Sequence, residues 1–159
     1  MQVRIIAVGK IKERYLADGI AEYVRRLRPY TRLTISEIGD ERRPPDPSPA
    51  QREQALDGEG KKILAALPSG SFAVALAIDG KSFSSESLAT LLGKYEVGGT
   101  GTFAFIIGGD LGLSRDVLAR CDLRLSLSPM TFTHPMARLI LLEQVYRAFR
   151  ILRGEPYHK

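Results

Sequence analysis

Apolar and polar positions follow two different periods along this chain, and the clearest change of period falls between Leu123 and Arg153. In LRLSL, Leu123, Leu125 and Leu127 alternate with Arg124 and Ser126, which predicts a strand with one apolar and one polar face. Ser128 and Pro129 end it, and a short loop follows with Thr131 and Thr133. Thr133 stands where an N-cap is expected, with His134 and Pro135 opening a helix. No Gly or Pro interrupts Met136 to Leu152. Leu139, Leu142, Val145, Tyr146, Phe149 and Leu152 form one stripe, and Ile140, Leu141, Ala148 and Ile151 widen it beyond a single face. A helix with so much apolar girth needs covering on two sides, and a second subunit is the economical way to cover it.

The same periodicities divide the rest of the chain. Gln2 to Val8 reads as a buried strand ended by Gly9, then a helix from about Lys12 to Arg28 carries Leu16, Ile20, Tyr23, Val24 and Leu27 on one face. TRLTISEI, from Thr31 to Ile38, alternates as a second strand. The segment from Gly39 to Pro49 holds Pro44, Pro45, Pro47 and Pro49 among charged residues and is a loop that cannot enter the core. A helix is expected over Ala50 to Leu67, wet at Glu53 and Lys61, with Gly58 and Gly60 weakening its middle. FAVALAI, from Phe72 to Ile78, is a nearly continuous apolar strand stopping at Asp79, Gly80 and Lys81. Ser84 or Ser85 caps a helix through Leu88, Leu91, Leu92 and Tyr95, and a glycine turn follows over 98–101. Thr102 to Ile107 is another buried strand, and Ser114 caps a short helix to Arg120. Five strands separated mainly by helices predict an α/β parallel sheet with helices on both faces, as one domain over 1–159.

Three strands then end in candidate ligand loops: Ile78 to Gly80, the glycine loop Gly108-Gly109-Asp110-Leu111-Gly112, and Leu127 to Thr133. In an open parallel sheet such ends share one rim, where ligands bind. Glycines there let backbone groups approach a ligand closely. The loop has neither the lysine and hydroxyl spacing of a phosphate-binding P-loop nor the dinucleotide fingerprint, since GKIKER follows the first strand. Cys121, His134 and His158 show no metal-ligand spacing, so no metal site is expected. No nucleophile elbow occurs, and Cys121 has no nearby His in sequence. A loop rich in backbone polar groups suits a neutral or cationic cofactor with a purine ring.

Composition narrows the class further. The 159 residues allow one ordinary core, and 44% hydrophobic with 26% charged residues is the balance of a soluble globular protein. No apolar run approaches a membrane span and no signal-peptide pattern opens the chain. A single cysteine suits a reducing cytoplasm. Lys and Arg number 23 against 18 Asp and Glu, a net charge of +5 that biases the protein mildly toward an anionic partner.

Two stretches, GTFAFIIGGDLGLS and LSLSPMTFTHPMARLILLEQVYRAFRILRGEPYHK, resemble the large-subunit ribosomal RNA methyltransferase H family, pseudouridine N3-methyltransferases of the SPOUT superfamily. The similarity in layout runs from the RIIAVGK opening to the YHK ending, with the last ~55 residues the specific part. The resemblance implies a homodimeric α/β fold whose C-terminal part is a trefoil knot holding S-adenosylmethionine. It overrides the expectation that chains do not knot.

Transferred position by position, the resemblance makes Leu76, Gly108, Leu127, Ser128, Pro129, Met130, Thr131 and Phe132 the cofactor-contacting residues. It assigns Arg138, Tyr157 and His158 to the substrate side: Arg138 as a cation for phosphate or a uracil carbonyl, Tyr157 as a stacking ring, and His158, directly or through a water, as acceptor of the N3 proton. Asp110 replaces the small residue or proline common after the two glycines. It either faces the cofactor and favours the cationic sulfonium or faces solvent. His134 leaves a loop brace and a catalytic role both open. The implied reaction is direct methyl transfer to N3 of a pseudouridine in large-subunit ribosomal RNA, within a ribosomal particle in the cytoplasm. The alternatives are a SPOUT-like methyltransferase of another RNA position and a non-catalytic RNA- or ribosome-binding dimer.

Overall fold

The computed structural model describes residues 1–98 and 101–159, so the glycine turn expected over 98–101 lies partly outside the described residues. In chain order the elements are β1 (Gln2–Val8), α1 (Arg14–Leu27), β2 (Arg32–Ile38), α2 (Pro49–Ala66), β3 (Phe72–Ser82), α3 (Ser85–Val97), β4 (Thr102–Ile107), α4 (Arg115–Arg120), β5 (Leu123–Ser126) and α5 (His134–Leu152). The strands form one sheet in the order β2-β1-β4-β3-β5, and every neighbouring pair is parallel.

Strand alternation sorts the core into two layers. Val3, Ile5 and Ala7 of β1 and Phe103, Phe105 and Ile107 of β4 point to the face covered by α1, α3 and α5. Ile6, Val8 and Ile106 point to the opposite face, where they meet Ile63 of α2 and Val117 of α4. Helices thus lie on both faces, as the alternation of elements predicts. The caps follow the sequence too. The Ser48 hydroxyl accepts from the Gln51 amide while the Gln51 side chain accepts from the Ser48 amide, a full capping box that starts α2 at Pro49, one residue ahead of the predicted Ala50. Ser84 rather than Ser85 caps α3, and Ser114 caps α4.

Three details depart from the expected pattern. β3 does not stop at Ile78 but continues to Ser82, because Leu125 pairs first with Leu76 and again with Lys81, so the residues between them bulge out of the ladder. β5 ends at Ser126 rather than Leu127, where the Ser126 hydroxyl donates to the Ser128 carbonyl and turns the chain. Thr133 occupies the N-cap of α5, but its hydroxyl makes no capping bond. Pro135 in the first turn has no N–H that would need one.

The girth of α5 is met within the chain. Tyr146 lies against Tyr23 of α1, with ring centroids 6.0 Å apart, and Leu139 sits over Gly19 of the same helix. On the other flank Leu152 packs over Gly93 of α3, and Ser85 donates to Gln144 at 2.6 Å. No residue from His134 to Leu152 is fully exposed. α1 and α3 thus supply much of the covering that the sheet alone could not, while Met136, Leu139, Ile140, Ile151 and Leu152 stay half-buried in the single chain.

Candidate functional site

The ends of β3, β4 and β5 border a cleft of about 940 Å³. One wall is the β3 bulge, which carries Ile78 and Asp79 outward beyond Leu76. A second is the turn from Gly108 to Leu113, and a third runs from Leu127 through Ser128 and Met130 to Pro135, with Glu13 at the mouth. Of the eight positions expected to contact a cofactor, Leu76, Gly108, Leu127, Ser128, Met130, Thr131 and Phe132 line the cleft, while Pro129 does not. Ile78, Met130 and Phe132 remain 57%, 75% and 38% exposed. Large apolar side chains this accessible around one concavity mark a surface suited to a flat apolar ligand.

The glycine turn is built by contacts within itself. A Cβ on Gly108 would collide with the carbonyl of Gly112, standing 2.7 Å from its carbon and 3.1 Å from a Leu113 methyl. Gly112, at φ +87°, donates its amide to the Gly109 carbonyl at 3.1 Å. Gly108 is needed because the turn folds back on it, a different reason from close approach of a ligand. Across the cleft the Met130 amide donates to the Ser128 hydroxyl at 3.0 Å, shaping the loop that holds Met130 and Phe132 outward.

The charge of the lining is one-sided. Glu13, Asp79 and Asp110 border the cleft, and among the described residues no Lys or Arg does. Asp79 is 3.7 Å from Arg124, and Asp110 is held by Arg43 from the proline-rich 39–48 loop. Asp110 thus faces the cleft but arrives neutralised, and the proline-rich loop is tied to the glycine turn through it. Such a lining disfavours a phosphate and tolerates a cation.

Arg138 is not placed as expected. Its side chain is buried, with the residue 2% exposed, and it donates to the Glu37 carboxylate at 2.9 Å and to the Gly9 carbonyl at 3.1 Å. It struts α5 to the ends of β1 and β2. It does not line the cleft: Nη1 and Nη2 are engaged by the carboxylate and the carbonyl, and the remaining Nε is buried without a partner. Its neighbour His134 does line the cleft, packed over Gly9, and its Nδ1 is buried without a hydrogen-bond partner.

Tyr157 and His158 lie at the other end of α5. The Tyr157 hydroxyl donates to Glu143 at 3.0 Å, lies 3.2 Å from the Tyr23 hydroxyl, and its ring sits under Arg147. Burial, then Tyr23 and Glu143, raise its pKa above the usual tyrosine value. His158 Nε2 is 2.8 Å from Glu86, and its Nδ1 is 3.3 Å from Arg147 Nη1. An arginine can only donate, so Nδ1 is the acceptor and Nε2 carries the proton toward Glu86. Both ring nitrogens are occupied, and His158 can take a further proton only by releasing Arg147. Thirteen residues of helix separate His134 from Arg147, roughly 20 Å at the rise of an α-helix. The terminus of a chain therefore stays well away from that chain's own cleft.

Reasoning from the sequence missed Glu13 at the mouth and the burial of Glu59 behind the glycine turn. The flanking Gly58 and Gly60 were the available signal for Glu59, since two glycines inside a helix mark places where something comes close.

The family model described as "Predicted SPOUT methyltransferase" matches residues 1–158. The ribosomal RNA large subunit methyltransferase H of Carboxydothermus hydrogenoformans is 54% identical over 159 residues, covering 100% of both chains. That of Clostridioides difficile is also 54% identical over 100% of both, and a Methanoregula boonei protein is 58% identical over the same span. Among solved structures, TrmJ from Z. mobilis ZM4 superposes with a TM-score of 0.54 at 12% identity, covering 100% of this chain and 73% of its own. A Legionella pneumophila protein solved with the bound cofactor SAM gives 0.50 at 14% identity, covering 93% of this chain and 66% of its own. At these identities the two structures are likenesses of fold.

Proposed function

This chain belongs to the ribosomal RNA large subunit methyltransferase H family of SPOUT methyltransferases, and from that premise we propose that it methylates N3 of a pseudouridine in large-subunit ribosomal RNA. The donor is S-adenosylmethionine, the working form is a homodimer of one-domain chains, and the substrate is RNA within a ribosomal particle in the cytoplasm. The segment from β4 to α5 takes the trefoil knot of the SPOUT fold. In support of the location, no helix among the described residues is long and apolar enough to cross a membrane.

The observation that carries the cofactor reading is the lining of the cleft. S-adenosylmethionine combines a purine with a sulfonium cation and no phosphate, and the cleft combines apolar Leu76, Ile78, Leu127, Met130 and Phe132 with three carboxylates and no basic side chain. A nucleotide cofactor would bring phosphates to a wall that offers them no lining cation, its Asp79 and Asp110 already paired with Arg124 and Arg43. When bound, S-adenosylmethionine supplies an electrophilic methyl group. The contribution of the chain is to hold donor and acceptor in line: the glycine turn and the Ser128 to Phe132 loop exclude water and fix orientation, which is where most of the rate in a simple displacement arises. Pro129 shapes that loop, and Arg138 serves the site by bracing the start of α5, beside His134.

N3 of the base must lose its proton, and negative charge then develops on the flanking carbonyls. Tyr157 and His158 supply the stacking ring and the imidazole for this step, from the partner chain. The roughly 20 Å of helix from His134 to Arg147, which holds His158, supports that arrangement, since the terminus then serves a cleft only if the cleft belongs to another copy. His158 acts as acceptor once the incoming RNA displaces Arg147 from Nδ1.

The test is methyl transfer from labelled S-adenosylmethionine to ribosomal particles from cells lacking the protein, followed by nucleoside analysis. N3-methylpseudouridine is the expected product. Transfer to another nucleoside, or none, overturns the reading.

A further inference from the structure

On the side of the glycine turn away from the cleft, three consecutive residues of α2 touch three different parts of the site. A Cβ on Gly58 would stand 2.8 Å from the Glu41 carboxyl carbon, against the 39–48 loop. A Cβ on Gly60 would stand 3.1 Å from Cβ of Ser114, whose hydroxyl caps α4 where the turn ends. Between them Glu59 is 3% exposed, and its Oε2 is buried with no hydrogen-bond partner. That oxygen lies 4.0 Å from the position a Cβ would take on Gly109, with Val8 3.3 Å from the same point.

A carboxylate is out of place here. Asp40 and Glu41 face it from the 39–48 loop and Asp110 from the glycine turn, all of the same sign. The opposing cation, Arg43, is committed to Asp110, and Lys62 on the same helix is committed to Glu41 at 2.7 Å. β1 contributes Val8 and α4 contributes Ser114, neither of which carries charge. Burial first, then Asp40, raises the Glu59 pKa above the ordinary carboxylate value. A neutral carboxyl fits this environment; an ionised one is desolvated among like charges.

We propose that Glu59 is a positioning residue of the cofactor cleft: as a neutral carboxyl it props the Gly109–Gly112 turn from behind, and the cleft-facing backbone of that turn keeps its place only while Glu59 carries its proton. Glu59 reaches no ligand itself. The proposal rests on the reading of the cleft as an S-adenosylmethionine site. Its consequence is linkage: cofactor binding needs the propped turn, so binding favours the protonated carboxyl, and affinity falls as pH rises through the raised pKa of Glu59.

Calorimetric titration of S-adenosylmethionine into the full chain, for wild type, Glu59→Gln and Glu59→Ala, from about pH 4.5, the ordinary carboxylate range, up to about pH 9, decides it. Wild-type affinity should fall with rising pH at no more than about tenfold per unit, the slope of one proton. Glu59→Gln, neutral and of the same shape, should match wild type within about twofold at the low end, show no such fall, and bind more tightly than wild type at the high end. Glu59→Ala, which removes the prop, should bind about tenfold more weakly or worse throughout. If the alanine variant does not fold, the glutamine and wild-type profiles suffice. Parallel profiles for those two, or a glutamine variant as impaired as the alanine one, overturn the proposal alone. A wild type that binds no S-adenosylmethionine at any pH overturns the cofactor reading and this proposal with it.

Discussion

The two ends of α5 differ in what surrounds them. At its first turn His134 opens onto a cleft rimmed by exposed Met130 and Phe132, and a buried imidazole nitrogen there has no partner. Beyond its last turn Tyr157 and His158 are held by Tyr23, Glu86, Glu143 and Arg147, from three helices. The first end is apolar and accessible, with an imidazole nitrogen to spare; at the second the Tyr157 hydroxyl and both His158 ring nitrogens are engaged. A ligand pocket needs spare capacity, whereas a tail that must reach into another molecule's pocket needs to be held at a fixed angle. On the reading proposed above, a chain of 159 residues would carry the two halves of a reaction site apart from one another.

The largest effect should come from cutting the saturated end. Deleting Tyr157 to Lys159 should lower methyl transfer about 100-fold, the scale of a lost general acid or base, while S-adenosylmethionine affinity stays within about twofold. Mixing this variant with Gly108→Val, whose cleft is damaged but whose tail is intact, should restore part of the activity, because one mixed dimer pairs a sound cleft with a sound tail. Single-turnover assays on the separate and mixed variants measure it. A mixture as inactive as its components would put cleft and tail in the same chain.

Damage to the accessible end should come next. In Gly108→Val the new branched side chain meets the Gly112 carbonyl and a Leu113 methyl, so the turn must open. Overpacking of this kind costs about 2 kcal/mol, a factor of about thirty in cofactor affinity if the turn bears it all. Calorimetric titration of the folded variant gives the number, and unchanged affinity would show that the turn does not contact the cofactor.

How far this division could be read from the sequence depended on the range of the interactions. FAVALAI and TFAFII announce buried parallel strands because both faces are covered, and glycines mark their ends, so the sheet and the three loops at its rim were legible. The β3 bulge was not, since it exists only through the double pairing of Leu125 with Leu76 and Lys81. Arg138 looked like a free cation because its partner, Glu37, lies 101 residues away. Glu59 was passed over for the same reason: Gly58 and Gly60 hint that something comes close, but α2 alone does not say that it is the glycine turn. The covering of α5 by α1 and α3 is likewise a tertiary fact, and it changed the ground on which a dimer is argued.

Arg138→Ala tests whether the start of α5 is braced or armed. The variant loses a charge-assisted bond to Glu37 and one to the Gly9 carbonyl. Glu37, with its side chain 41% exposed, can turn to water, so the loss should be held to about 1.5 kcal/mol of stability, read as a lower denaturant midpoint with an unchanged slope. Arg138→Lys should recover only part of it, having no fork to reach both acceptors. Unchanged stability with abolished methyl transfer would return Arg138 to the role of an RNA clamp.

The smallest effect is expected at Thr133, and it separates the two ends at the level of one hydroxyl. Replacing a capping Thr or Ser by Ala ordinarily costs about 1 kcal/mol, because a buried amide loses its acceptor. Ser48→Ala should show this loss, since its hydroxyl accepts from the Gln51 amide at 3.2 Å in a complete capping box. Thr133 sits at the corresponding position of α5, but its hydroxyl makes no capping bond and the residue borders the cleft. Thr133→Ala should therefore shift stability by less than about 0.3 kcal/mol, well below the usual cap loss. Any deficit should appear instead as a few-fold change in methyl transfer, because the hydroxyl is free to meet the ligand. Parallel denaturation curves for Ser48→Ala and Thr133→Ala make the comparison with the same instrument and host. Equal losses would mean that Thr133 caps its helix in solution, and that the start of α5 is as saturated as its end.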